Sequence, residues 1–172
     1  ETAELLAPTS VIETDSWGLD HGAWSVIKHL YPAANIPVIQ MSIDYTQPAQ
    51  YHFDLAKKLQ KLREKGILII GSGNVVHNLR MIDWKNINTV GAGWDWAIEA
   101  RAKTNEWILD GNFQNLIHFE KQGTALKNAI PTPDHYLPLI YTLGLKEKSD
   151  NISLFNDELI GGSLSMTSVM ID

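Results

Sequence analysis

The strongest constraint on the fold lies in three consecutive segments of the chain. Residues 36–43 (IPVIQMSI) and 67–70 (ILII) are short apolar runs rich in β-branched side chains, which is typical of buried strands. Between them, residues 49–65 place apolar side chains on one helical face and mostly basic side chains opposite, and Gly66 follows as a helix stop. A strand, a helix and a second strand in this order predict a βαβ unit with parallel strands and a right-handed crossover.

Further helices are predicted on both sides of this unit. Apolar side chains at helical spacing indicate helices over residues 23–30 and 94–111. Thr132 followed by Pro133 has the pattern of an N-cap and a first helical residue, so another helix is predicted to begin there. Pro138 would then fall inside that helix, and we expect a kink at this position.

The C-terminal part of the chain has a different periodicity. Residues 152–155 and 163–171 alternate between polar and apolar side chains, which predicts antiparallel strands at the edge of a sheet. The predicted fold is therefore α/β and three-layered, with a mostly parallel central sheet, helices on both faces and antiparallel C-terminal edge strands. The length of 172 residues suits one domain, and we expect residues 1–172 to form it.

Composition narrows the class of protein. The net charge of −6, with no basic patch among aromatic residues, argues against a nucleic-acid partner. No apolar run approaches the roughly 20 residues that cross a bilayer, so no membrane partner is expected. The absence of cysteine agrees with a location in the reducing cytoplasm. Without cysteine, any metal site would have to use histidine, aspartate or glutamate.

The six histidines fall into two groups. Those within helical patterns are most simply surface or packed imidazoles; they are His29, His52 and His118. The others follow or precede turn residues at the ends of predicted elements; they are His21, His77 and His135. Imidazole is both a common metal ligand and a general base near neutral pH, so this second group holds the candidate functional residues.

The turn after the second apolar run allows several interpretations. Gly71 and Gly73 suit a sharp turn or a close approach to a ligand, as in a dinucleotide-binding fingerprint. Val76 replaces the third glycine of that fingerprint, which weakens a nucleotide site. Ser72 does not lie in the Gly-x-Ser-x-Gly context of a nucleophile. Trp17 and Trp24 flank His21, and we expect them in the core or along an aromatic pocket.

Several motifs together carry a family resemblance. They are residues 17–24 (WGLDHGAW), 71–80 (GSGNVVHNLR) and 131–139 (PTPDHYLPL), with residues 36–43 between the first two. In this order and spacing they resemble the 4,5-DOPA extradiol dioxygenase family, within the class III extradiol ring-cleaving dioxygenases. The resemblance extends to residues 162–169 (GSLSMTSV), near the end of the chain.

The same resemblance suggests that the chain is part of a longer protein. The sequence begins with Glu1, and residues 1–7 read like the end of a helix. Members of the family carry an upstream segment that includes a His-Gly pair and a second histidine, both metal ligands. We therefore expect the chain to correspond to the C-terminal two-thirds of such an enzyme, with the remaining metal ligands upstream of Glu1.

Roles for individual residues follow from the motifs. The resemblance implies that His135 binds a metal, that His77 is either a metal ligand or the catalytic base, and that His21 orients or protonates the substrate. It further implies substrate contacts from three neighbours of these histidines, namely Asp20, Asn74 and Asn78. The implied cofactor is one divalent ion, Fe²⁺ or Zn²⁺.

The implied reaction is the opening of an aromatic ring. An extradiol dioxygenase would take a small catechol such as DOPA and O₂ as its partners and form a semialdehyde. Two other functions stay open from the residues alone: a non-catalytic binding protein on the same fold, and a zinc-dependent hydrolase. The sequence leaves the physiological catechol and the oligomeric state undetermined.

Overall fold

The computed structural model describes residues 1–172, which form eight α-helices and four short strands. The helices are α1 Thr2–Leu6, α2 His21–Leu30, α3 Ala49–Lys57, α4 Gln60–Arg63, α5 Asp95–Leu109, α6 Phe113–Ile117, α7 Thr124–Ala129 and α8 Leu137–Gly144. The strands are β1 Ile152–Phe155, β2 Leu159–Ile160, β3 Leu164–Ser165 and β4 Ser168–Ile171. No helix combines the length and apolar character needed to span a membrane.

The C-terminal strands pair antiparallel, as their alternation predicts. β1 pairs with β4, with Ile152 opposite Ile171, and β2 pairs with β3, with Leu159 opposite Ser165. An isolated parallel bridge between Gly93 and Gly162 ties this region to the start of α5. The chain is therefore α/β, with its paired strands gathered at the C-terminal end.

The predicted parallel sheet is not confirmed. Residues 36–43 and 67–70 form neither helix nor paired strand, and many of their apolar side chains are exposed, Ile39 by 80% and Leu68 by 64%. Their apolar character indicates a preference for strands, but a strand forms only when another segment supplies a ladder of hydrogen bonds. No other segment in the structure supplies that ladder.

Helix α8 lies at the centre of the packing. It contacts both apolar clusters, a larger one built mainly from α5, α6 and α7 and a smaller one built from α1, α3 and α4. Gly144 lets α3 and α8 approach closely, because a Cβ there would lie 2.5 Å from the carbonyl oxygen of Phe53. The core thus places the N-terminus of α8 beside the turn that contains Gly71 and Gly73.

The start of α8 differs from the prediction. The helix begins at Leu137 rather than near Thr132. The residues before it form a turn, in which the N–H groups of Tyr136 and Leu137 both donate to Pro133 O. Pro138 consequently lies in the first helical turn, where its missing N–H is harmless, and the expected kink is wrong. The predicted helix over residues 49–65 is likewise divided into α3 and α4.

His52 is fully buried on α3, in agreement with a packed imidazole. Its Nδ1 lies 3.1 Å from the hydroxyl of Tyr141. Burial lowers the pKa of His52 and raises the pKa of Tyr141 to about 12. The folded protein therefore favours the neutral imidazole at this position.

This burial predicts a pH-dependent stability. Because the pKa of His52 is lower in the folded than in the unfolded chain, the unfolded chain binds more protons just below the usual histidine pKa of about 6.5. The free energy of unfolding should fall as the pH drops from about 7 to about 5. His52→Gln should flatten this slope in urea titrations, whereas His29→Gln, at an exposed position on α2, should leave it unchanged. Equal slopes in both variants and the parent protein would contradict the prediction.

Candidate active site

The structure brings two of the predicted site residues into direct contact. The imidazole rings of His77 and His135 stack with their centroids 3.7 Å apart and their planes 8° from parallel. His135 lies at the end of the turn before α8, and His77 follows the glycine turn that packs on the same helix. Two turns from distant parts of the sequence thus form one site.

His77 is positioned through its own backbone and that of its neighbours. Its N–H donates to Ala129 O at the end of α7, over 2.9 Å, and it forms an isolated antiparallel bridge with Leu164. Beside it, Val76 N–H donates to Ser165 Oγ, and Val76 O accepts from Ser165 N–H, both over 3.0 Å. The segment is therefore held between α7 and β3.

Gly71 and Gly73 serve close packing rather than phosphate binding. A Cβ at Gly71 would lie 2.5 Å from both Pro138 O and Thr142 Oγ1. A Cβ at Gly73 would lie closer than 3.0 Å to the carbonyl oxygen of His135. Only glycine lets this turn reach α8, so the pattern that resembled a dinucleotide fingerprint has a structural cause.

Asn74 and Asn78 use their amide groups to hold the site together. Asn74 Nδ2 donates to Ser165 O over 2.7 Å, and its N–H donates to His135 O over 2.8 Å. Asn78 is buried, and its Nδ2 donates to Asn128 O over 2.7 Å. Substrate contacts from these two residues stay a prediction, but both have structural partners already.

Ser163 and Ser165 are site-supporting residues that sequence reasoning missed as individuals. Ser163 Oγ donates to Asn78 O over 2.8 Å, and Ser165 Oγ accepts from Val76 N–H. Both serines are buried. Their alternation with Leu164 indicated a strand, but the partners of their hydroxyl groups lie far away in the sequence. Only the tertiary structure identifies them.

Removing the Ser165 hydroxyl should destabilise the segment that carries His77, because this hydroxyl accepts from the neighbouring Val76 N–H. In Ser165→Ala the N–H of Val76, a fully buried residue, loses its acceptor, which we expect to cost about 1–3 kcal/mol of unfolding free energy. Ser153→Ala, at an exposed position of β1, is the control and should change stability by less than about 0.5 kcal/mol. Urea titration measures both, and equal stabilities of the two variants would contradict the role of the hydroxyl.

His21 lies next to this site without joining the histidine pair. It is the exposed first residue of α2, and neither a hydrogen bond nor a ring contact links it to His77 or His135. The connection is indirect, because Ser72 Oγ donates to Gly22 O over 2.8 Å. The N-terminus of α2 is thus attached to the glycine turn.

Asp20 is primarily a helix cap in this structure. Its Oδ1 accepts from Ala23 N–H over 2.8 Å, and its Oδ2 accepts from Gln40 Nε2 over 3.0 Å. A substrate contact from Asp20 therefore stays a prediction. Trp17 is 85% exposed and Trp24 47% exposed, so these side chains do not wall a closed aromatic pocket or enter the core.

The environment favours a neutral imidazole at His77. Its pKa is lowered, first by burial and then by the neighbouring His135, although Asp134 opposes this. Burial alone would raise the pKa of Asp134, but hydrogen bonds, including one from Thr132, and the nearby His135 bring it below its usual range. The site therefore combines an ionised carboxylate with an imidazole that is able to accept a proton at neutral pH.

The described residues do not make a complete metal site. No three side chains among the histidines, aspartates and glutamates converge as ligands. His77 and His135 offer two imidazole donors, whereas zinc and non-haem iron sites usually use at least three protein ligands. The two predicted metal ligands are thus in contact, but two ligands are fewer than such a metal site usually has.

Comparisons with known proteins agree with the motifs. Residues 3–165 match the family model described as the catalytic LigB subunit of aromatic ring-opening dioxygenase. A 4,5-DOPA dioxygenase extradiol of Escherichia coli (strain K12) is 41% identical over 98% of this chain and 62% of its own length. A 4,5-DOPA dioxygenase extradiol of Beta vulgaris is 30% identical over 88% of this chain and 55% of its own length.

A solved structure agrees as well. The crystal structure of an uncharacterized protein from Escherichia coli K12 matches with a TM-score of 0.83 and 37% identity, over 98% of this chain and 69% of that chain. The present chain spans about three-fifths or less of the length of the two DOPA dioxygenases. The resemblance seen in the motifs is confirmed over nearly the whole chain. The chain belongs to the family of the catalytic LigB subunit of aromatic ring-opening dioxygenases.

Proposed function

We propose that the protein is an extradiol dioxygenase that opens the ring of a catechol with O₂ and forms a semialdehyde. The observation that carries the proposal is the stacked pair of His77 and His135, in a chain of the ring-opening dioxygenase family. Two relatives bear the name 4,5-DOPA dioxygenase extradiol, which supports a DOPA-like substrate.

His77 is the proposed catalytic base. A catechol must lose a proton before its ring is electron-rich enough to react with oxygen, and a neutral imidazole is suited to accept that proton. The lowered pKa of His77 keeps it in the required form at neutral pH. His21, on the helix attached to the glycine turn, is proposed to orient or protonate the substrate.

One divalent ion, Fe²⁺ or Zn²⁺, is the proposed cofactor. Dioxygenases of this family are metal-dependent, and His135, with His77 as an alternative ligand, would supply imidazole donors that suit either ion. Because the described residues provide only this pair, a resident ion needs further ligands from outside them.

The proposal is tested by oxygen consumption with defined substrates. The full-length protein, supplemented with Fe²⁺, should consume O₂ with L-DOPA, caffeate or protocatechuate and form a yellow semialdehyde, whereas tyrosine, with one ring hydroxyl, should give neither signal. Absence of O₂ uptake with all three catechols would overturn the proposal. Catechol binding measured by calorimetry without turnover would instead favour a non-catalytic binding protein.

We further propose that residues 36–43 and 67–70 are strands of a mostly parallel central sheet in a three-layer fold, and that residues 1–172 belong to one domain. Support comes from the β-branched composition of both segments and from α3 and α4 between them. Slow amide hydrogen exchange in both segments of the natural protein would support the sheet. Rapid exchange in both would contradict it.

A further inference from the structure

Asp134 makes a short contact with one of the two stacked histidines. Its Oδ2 lies 2.6 Å from Nδ1 of His135. An ionised carboxylate can only accept hydrogen bonds, so the proton of this contact belongs to Nδ1. In a neutral imidazole that carries its proton on Nδ1, the lone pair is on Nε2.

The rest of His135 is also held. Its carbonyl oxygen accepts from Asn74 N–H over 2.8 Å, and its ring lies flat against His77. The turn that carries Asp134 is attached to α8, because Pro133 O accepts from Leu137 N–H over 2.8 Å. The carboxylate of Asp134 therefore contacts the imidazole of a residue whose backbone is hydrogen-bonded and whose ring is packed on one face.

We propose that Asp134 is a positioning residue of the site, which holds His135 in the Nδ1–H tautomer so that Nε2 is the atom presented to a proton or a ligand. This inference rests on the proposed function only for the use of Nε2, and the tautomer itself can be measured without metal or substrate. An unconstrained neutral histidine prefers the opposite tautomer, with its proton on Nε2. A carboxylate on the far nitrogen is a common way to orient a functional imidazole.

The test is the tautomer of His135 in ¹⁵N-labelled, metal-free protein. Long-range ¹H–¹⁵N spectra at about pH 8, above the usual histidine pKa, distinguish the two ring nitrogens. The resonances of the His135 ring are assigned as those that disappear from the spectrum of His135→Gln. The parent protein should show a protonated Nδ1, Asp134→Ala should shift the population toward protonated Nε2, and Asp134→Asn should lie between them because its amide oxygen still accepts.

A matched control and an independent activity measurement complete the test. Asp83→Ala removes a carboxylate that bonds only to Lys85 and Asn86, and it should leave the His135 spectrum unchanged. In the ring-opening assay, Asp134→Ala should lower kcat by about 10- to 100-fold, with Asp134→Asn partly restoring it.

The outcomes separate this inference from the proposed function. A protonated Nε2 in the parent protein, or the same tautomer in the parent and Asp134→Ala, overturns the positioning role even if the protein opens catechols. The expected tautomers in a protein that opens no catechol support the positioning role and overturn only the proposed function.

Discussion

His77→Ala is expected to abolish catechol ring opening while leaving the protein folded. Loss of a general base typically costs about 10²- to 10⁴-fold, and we expect kcat/KM to fall by that factor. Stability should change by less than about 1 kcal/mol, since the ring is only half-buried and the hydrogen bond to Ala129 comes from the backbone. Oxygen uptake measures the first effect, and urea unfolding measures the second.

His118→Ala is the matched control for this prediction. His118 is exposed at the end of α6, and its removal takes away one imidazole without touching the histidine pair. Its variant should keep the activity of the parent protein. If both variants lost activity alike, or if His77→Ala simply unfolded, His77 would be a packed residue rather than the base.

Gly73→Ala is expected to have the largest effect on stability. The new Cβ would overlap the backbone carbonyl oxygen of His135 and press on the ring of Pro138, which is held in the first turn of α8. Overpacking of this kind usually costs about 1–3 kcal/mol, and the rigid backbone places our expectation at the upper end. Displacement of His135 should reduce activity as well.

Gly18→Ala separates this steric effect from the general effect of replacing glycine. A Cβ at Gly18 meets nothing within 4 Å. The free energy of unfolding of this variant should lie within about 0.5 kcal/mol of that of the parent protein in the same urea titration. A Gly73→Ala protein as stable as Gly18→Ala would show that the turn can move away from α8, and our account of the glycines would be wrong.

Much of the local structure was accessible from the sequence. The apolar spacing of residues 94–111 predicts a helix, and α5 covers residues Asp95–Leu109, with Ala97, Ala100, Thr104 and Ile108 buried at helical spacing. The alternation at residues 152–155 likewise predicts the antiparallel strand β1. Loop position and turn residues also distinguished His77 and His135 from the buried His52.

Features that depend on a distant partner were not accessible in this way. The apolar residues 36–43 have strand character, but pairing is a property of two segments, and the structure shows none for them. Helix α8 begins at Leu137, after a turn in which Pro133 O accepts two N–H groups, and the Thr-Pro pattern does not distinguish this turn from a helix start. Glycines at positions 71 and 73 are compatible with a ligand-binding turn or with close packing, and only the position of α8 shows that they serve close packing.

The sequence by itself determined helices α2 and α5, the antiparallel character of the C-terminal strands, the candidate histidines and, through the order of its motifs, the family. Side-chain type and periodicity are properties of the local sequence, so the features that depend on them can be predicted without knowing the fold. Only the tertiary structure shows that His77 stacks on His135 and that Ser165 Oγ accepts a hydrogen bond from Val76 N–H. It also shows that Gly71 and Gly73 allow their turn to pack closely against the start of α8. These are contacts between groups far apart in the chain, and their geometry is set by the packing of the whole core.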